Sequence, residues 1–217
     1  TPSAVARAGV GVGFDTARDL PDDGPVRLSG RAVPRSGHRP RRGHSPGQLH
    51  DSGPGEVAIR VHATAINRAD LMQRAGLYPP PPGASPILGL ECAGEISALG
   101  SGVTTWKIGD HVCALLAGGG YAETLVCPAD HVLPIPAGFS WTEAAALPEV
   151  FATAWLNIFM EAGVKPGQKV LLHAGASGVG TAAIQLCKQQ GNPVFVTVGD
   201  PAKLEFCRQL GASAGHV

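Results

Sequence analysis

Within residues 169–198, KVLLHAGASGVGTAAIQLCKQQGNPVFVTV, an apolar run, a glycine-rich turn, an amphipathic run and a second apolar run follow one another without a break. Lys169 to Ala174 reads as a buried strand, Gly175 to Gly180 as a tight turn, Thr181 to Gln190 as a helix stopped by Gly191, and Pro193 to Val198 as a second strand. That order is one βαβ unit. Asp200 as N-cap and Pro201 at the first helical position then start another helix, which runs to Gly211.

Gly175, Gly178 and Gly180 let the backbone of the turn come close to a ligand, and the helix that follows offers unpaired N–H groups and a positive dipole end to a pyrophosphate. A dinucleotide is the natural ligand, although glycine turns also serve tight packing alone, and G-x-x-G-x-G is a variant of the usual G-x-G-x-x-G. Two rivals fail on sequence. A P-loop needs Lys after its last glycine, and Gly180 is followed by Thr181 and Ala182. A hydrolase elbow would make Ser177 a nucleophile with Asp200 and His216 in the required order, but Val179 stands where its second glycine belongs, and capping explains Asp200.

Upstream, Gly55 to Ala63 alternates apolar and polar residues and reads as a strand, and Ile66 to Gly76 as a short helix ending at glycine. After the rigid loop YPPPPGASP come ECAGEISALG, DHVCALLA, AETLVC and HVLPIP, short β-type runs at the spacing of a compact barrel or sandwich, with no room for a useful helix. Ser140 and Glu143 form a capping box, Pro148 interrupts the Ala-rich run, and Glu149 to Glu161 continues at helical spacing until Gly163.

Lysine plus arginine equals aspartate plus glutamate at 17 each, so no overall field draws nucleic acid or an anionic membrane. No apolar run approaches a membrane span and the first thirty residues lack a secretory pattern, which reads as a soluble cytoplasmic protein. Five well-separated cysteines (Cys92, Cys113, Cys127, Cys187, Cys207) and no C-x-x-C pair disfavour disulfides and zinc and suit reduced, apolar core thiols. The charge is unevenly spread: residues 1–52 hold eight of the twelve arginines against five aspartates, no lysine and no glutamate. Glycine and proline fill fourteen of those positions, and Ser29 to Gln48 has no apolar periodicity, so this segment is expected to be disordered. Arg35, Arg39, Arg41 and Arg42 would make a phosphate-binding arm only with aromatic residues among them, which are lacking.

INRADLMQRAGLYPPPPGASPILGLECAGEI, WKIGD, LPIPAGFSWTEAAALPEVFATAW and HAGASGVGTAAIQL, in that order, resemble the zinc-independent quinone oxidoreductases of the medium-chain dehydrogenase/reductase superfamily, of the zeta-crystallin-like kind and nearest its tumour-suppressor-inducible branch. The resemblance covers about Gly53 to Val217. It implies an α/β plus β protein: a GroES-like β-rich catalytic domain over 53–147, then part of a Rossmann (doubly wound α/β) NADP-binding domain over 148–217, with NADPH between them. The implied activity is hydride transfer from NADPH to a small-molecule quinone, in a family whose full-length members form homodimers. Asn67, Leu90 and Glu149 stand where zinc-dependent relatives have their ligands, so no metal and no Lewis-acid step is expected. A quinone needs only alignment with the nicotinamide, exclusion of water and protons from solvent.

By the same resemblance Asn67 reaches the nicotinamide end, Tyr78 lines the cleft beside cofactor and quinone, Thr153 faces the nicotinamide, and Ala176, Ser177, Gly178 and Val179 line the pyrophosphate. The plain structural alternatives are a helix N-cap for Asn67, a core ring for Tyr78 and helix packing for Thr153. The second strand ends Thr197-Val198-Gly199 without the carboxylate of NAD-selective sites, which favours NADPH, and Lys203 matches the residue that meets the 2′-phosphate, an ordinary solvated lysine being the alternative. Asp200 would reverse the preference if it pointed inward rather than capping. Residues 1–52 show none of the family's opening strands, which suggests a foreign or frame-shifted segment. The chain stops before the family's later Rossmann strands, which suggests a truncated sheet with an unpaired edge. Two further functions fit: a non-catalytic nucleotide-binding or interaction protein, and an enoyl or alkenal reductase of the same superfamily.

Overall fold

The computed structural model describes residues 52–217, so the disorder expected of residues 1–52 lies, but for Ser52, outside the described residues. Those residues divide into two compact units, one ending at Pro148 and one beginning at Glu149.

The first unit is a five-stranded antiparallel sheet in the order β4-β1-β2-β3-β5, with β1 Glu56–Thr64, β2 Glu91–Leu99, β3 His111–Leu115, β4 Thr124–Pro128 and β5 Val132–Pro134. Because side chains alternate across a strand, neighbouring residues feed different cores. Cys92, Val112 and Ala114 join Val57, Ile59 and Ile96 in one cluster, while Ala93 and Cys113 join Ala144 and Ala145 of helix α2 (Trp141–Ala145) in another. Ile59 and Ile96 are fully buried, each contributing about 2 kcal/mol of apolar transfer free energy. Helix α2 starts at the expected capping box of Ser140 and Glu143. Its Trp141 ring stacks on His62 with centroids 4.5 Å apart and meets His111 at the same separation. Helix α1 (Arg68–Arg74) follows β1, and between β2 and α2 the strands β3, β4 and β5 are accompanied by no helix longer than a three-residue 3₁₀ turn.

In the second unit β6 (Val170–Leu172), β7 (Val194–Thr197) and β8 (Ala214–His216) form a parallel sheet in chain order, joined by α4 (Gly178–Gln189) and α5 (Pro201–Leu210). Ile184, Cys187, Val194, Val196 and Cys207 centre its core. All five cysteines are free and buried.

Three expectations need correction. The first strand is shorter than Lys169 to Ala174 and not buried throughout: Val170 and Leu172 face the core, but Leu171 is 60% exposed. Val170, Val194 and Val196 pack with residues of α4 and α5, and the pleat turns Leu171, beside Phe195, to the opposite face. Helix α4 begins at Gly178 rather than Thr181, because Ser177 supplies the cap. The helix expected over Glu149–Glu161 is α-helical (α3, Pro148–Trp155) and then π-helical over Leu156–Glu161. Asn157 explains the change: its Nδ2 donates to the Thr153 carbonyl at 2.8 Å, the acceptor that an α-helix would reserve for the Asn157 N–H. Ala162 N–H then reaches the Asn157 carbonyl, five residues back.

Candidate functional site

The glycine turn is built by close approach. Gly175 N–H donates to the Thr197 carbonyl at 3.0 Å, tying the turn to the end of β7. A Cβ on Gly175 would lie 2.7 Å from the Val196 side chain, and one on Gly180 would lie 2.5 Å from the Gly175 carbonyl and 2.6 Å from that of Ala174. The helix therefore starts flush against the sheet. Ala174 bends the chain with φ 52°, a left-handed conformation in a residue other than glycine, and its carbonyl accepts from Ser177 N–H at 2.8 Å. Ser177 Oγ accepts from Gly180 N–H at 3.1 Å. Ser177 and Asp200 are thus both cap residues, the role that the hydrolase alternative denies them.

Gly178 and Val179 are the first two residues of α4, and their N–H groups precede the first carbonyl that an α-helix can offer them. A Cβ on Gly178 would touch only a Val150 methyl, at 3.2 Å, and Ala176, Ser177 and Gly178 are all partly exposed. Flush packing behind the turn, open space before it and donors facing outward from a twelve-residue helix fit a pyrophosphate. Beside it, Thr153, Asn157, Leu171, His173, Ser177 and Val179 line a depression of about 290 Å³. The structure so brings Thr153, Ser177 and Val179 together. Thr153 Oγ1 also donates to Glu149 Oε1 at 3.5 Å, and His173 Nδ1 is 3.0 Å from Thr197 Oγ1.

At the end of β7, Gly199 is exposed, and a Cβ there would meet nothing within 4 Å. Asp200 caps α5, with Oδ1 accepting from Lys203 N–H at 2.9 Å and Oδ2 lying 3.4 Å from Lys203 Nζ. The backbone N–H of Lys203 and then its ammonium group hold the Asp200 carboxyl below the usual carboxylate range.

Asn67 and Tyr78 belong to the first unit. Asn67 is the N-cap residue of α1, in a capping box with Asp70 at N3, and its Nδ2 donates to Glu91 Oε1 at 2.8 Å. Asp70 completes the arrangement: one carboxylate oxygen accepts from Asn67 N–H at 2.8 Å, the other from Gly89 N–H at 3.1 Å, and the Tyr121 hydroxyl also bonds to it. Asp70 and Glu91 are 2% and 1% exposed. Burial first, and the Asp70 carboxylate next, push the Tyr121 phenol well above its ordinary range. Tyr78 is 45% exposed and not a core ring. Sequence reasoning missed Ala174, Asn157 and His173, and the buried pair Asp70 and Glu91. A carboxylate inside an otherwise apolar run, for Glu91, and an amide inside a helical run, for Asn157, were the available signals.

Residues 53–137 match the alcohol dehydrogenase GroES-like domain. Over 159 residues the chain is 37% identical to phthioceranic/hydroxyphthioceranic acid synthase of Mycobacterium tuberculosis, covering 73% of this chain and 8% of that protein. Among solved structures, CurK enoyl reductase superposes with a TM-score of 0.71 at 35% identity, over 79% of this chain and 54% of that one. Escherichia coli quinone oxidoreductase complexed with NADPH gives 0.70 at 34%, over 78% and 52%. Residues 53–137 thus carry the alcohol dehydrogenase GroES-like domain, and the described residues share the fold of the medium-chain dehydrogenase/reductase superfamily. Within that superfamily fold the first unit is the GroES-like domain and the second a partial Rossmann-type domain. The chain spans about half the length of these two solved relatives of the superfamily. Among the described residues, no helix is long and apolar enough to cross a membrane, and no group of three or more His, Cys, Asp or Glu is placed to hold a metal ion.

Proposed function

We propose that this chain carries the cofactor-binding and substrate-reducing parts of an NADPH-dependent oxidoreductase of conjugated carbonyl compounds, with a quinone as the acceptor in the first reading. The observation that carries the proposal is the turn: packed flush behind by Gly175 and Gly180, open in front at Gly178, and followed by the free N–H groups of α4. Ala176, Ser177, Gly178 and Val179 hold the pyrophosphate. Gly199 leaves room at the end of β7, and Lys203 receives the 2′-phosphate, with no carboxylate at Val198 to select NADH. Thr153, Asn67 and Tyr78 serve the nicotinamide end, with Asn67 held by Glu91 and Asp70.

When bound, the nicotinamide supplies hydride to the acceptor ring, and solvent protonates its oxygens. The protein's share is to orient the ring and exclude water, without a metal. A second reading, reduction of an enoyl or alkenal double bond, is supported to the same degree by the likeness to CurK enoyl reductase and to the mycobacterial synthase. Thermal unfolding of the chain alone, with NADPH and with NADH tests the first step, since a ligand that binds only the folded state raises its midpoint. Loss of NADPH absorbance with a quinone and with an enoyl thioester in parallel then chooses the acceptor. Binding without turnover of either leaves a nucleotide-binding protein and removes the reductase.

A further inference from the structure

Asp200 stands at odds with the cofactor choice proposed above. A 2′-phosphate at the end of β7 would be received by Lys203, yet Lys203 already has an anion: Asp200 takes its backbone N–H with one oxygen, at 2.9 Å, and sits 3.4 Å from its ammonium with the other. The carboxylate is therefore the anion that Lys203 already meets within the chain. The two contacts differ in strength. The ammonium contact joins side chains 58% and 43% exposed, so Lys203 can swing to a new partner at little cost. The cap bond belongs to the start of a ten-residue helix and keeps the carboxylate where it is. Lys203 can leave Asp200 more readily than Asp200 can leave its cap. The open space at Gly199 lies immediately before it in the chain.

We infer that Asp200 is a specificity-determining residue that limits the preference of this chain for NADPH over NADH by holding a fixed negative charge beside the Lys203 ammonium. The inference rests on the dinucleotide reading given above and adds to it a residue that acts against the 2′-phosphate. A phosphate dianion received by Lys203 would share that ammonium with the Asp200 carboxylate, and the repulsion between two such neighbouring anions, even at solvent dielectric, is worth on the order of a tenfold change in affinity. NADH carries only a hydroxyl there and does not meet this repulsion.

Asparagine caps a helix as well as aspartate does, so Asp200→Asn removes the charge and keeps the helix start; Asp200→Ser is a second variant with the same property. Dissociation constants for NADPH and NADH, read from nucleotide fluorescence on the full 217-residue chain, give the ratio directly. NADPH should tighten about tenfold in both variants at low salt, NADH should stay within about twofold, and the gain should shrink as salt screens the charge. Lys203→Met should weaken NADPH alone. An NADPH-to-NADH ratio unchanged in Asp200→Asn and Asp200→Ser, with nucleotide still bound, overturns the inference and leaves the dinucleotide site standing. Wild-type protein that binds neither nucleotide overturns both.

Discussion

Gly178 and Gly180 stand two residues apart in one turn, and replacing each with alanine should do opposite things. On Gly180 the new methyl would lie 2.5 Å from the Gly175 carbonyl oxygen, 2.6 Å from that of Ala174 and 2.7 Å from the Gly175 carbonyl carbon. All three are backbone atoms, so nothing can rotate away; the first turn of α4 must lift off the sheet, at about 2 kcal/mol or more. For a unit as small as Glu149–Val217 that is a fall of about 10 °C in its unfolding midpoint. On Gly178 the methyl meets only a Val150 side-chain carbon at 3.2 Å, which a small rotation relieves, so stability should move by no more than about 0.5 kcal/mol. That same methyl occupies the space before the turn, and NADPH affinity should fall at least about tenfold, or ~1.4 kcal/mol. Calorimetric unfolding and nucleotide titration of both variants separate the two effects. Equal destabilisation by the two, or a Gly178→Ala protein that binds NADPH like the wild type, would refute the division of the turn into a packed back and an open front.

The buried Asp70 supplies a second test: Asp70→Ala strands the N–H groups of Asn67 and Gly89 and the Tyr121 hydroxyl, and should cost about 3 kcal/mol in denaturant unfolding. Tyr121→Phe, which removes only one of these bonds, should cost about 1 kcal/mol in the same assay. Burial raises the Cys113 thiol to about 11 and, with Glu56 and Asp130 adding to it, the Cys127 thiol to about 12. At pH 8 the native protein should therefore react with a thiol reagent orders of magnitude more slowly than unfolded chain, which releases all five cysteines at once. Glu95 is held below its ordinary range first by its hydrogen bond from Arg60. Its contribution to stability is present above the unfolded-state value and lost as pH falls through the lower folded one, and Arg60→Ala should move its carbon-detected NMR midpoint upward.

Much of this architecture could be read from the residues. Period-two alternation located β1, and a short β-type run β2, each to within one residue, and the Ser140–Glu143 box and the Asp200–Pro201 start fixed two helix ends, because each is a local device whose partners lie within four residues. What the residues concealed depends on neighbours distant in the chain. Leu171 looks like core in sequence, and only its place on the sheet face opposite α4 and α5 exposes it. Asn67 looks like a cap and is one, but its second bond, from Nδ2 to a glutamate twenty-four residues on, has no local signal. In the candidate site, the glycine turn was legible because backbone approach leaves its mark as glycine. The left-handed Ala174 was not, since a strained residue looks like any other alanine.

The π-helical segment Leu156–Glu161 has a consequence for how the length of this chain can vary. Its Ala162-to-Asn157 bond spans one residue more than an α-helical bond does, so the segment behaves as a helix holding one surplus amino acid. Removing a single residue there would restore ordinary helical pairing and deliver the chain to Gly163, with its left-handed φ of 61°, at the same point in space. A one-residue deletion should therefore be absorbed between 156 and 161, whereas the same deletion within α4 would rotate Ile184 and Cys187 out of the core. Related chains should differ in length by one residue at this place more readily than anywhere else in the second unit, and the indel would carry Asn157 and its bond to Thr153 away with it.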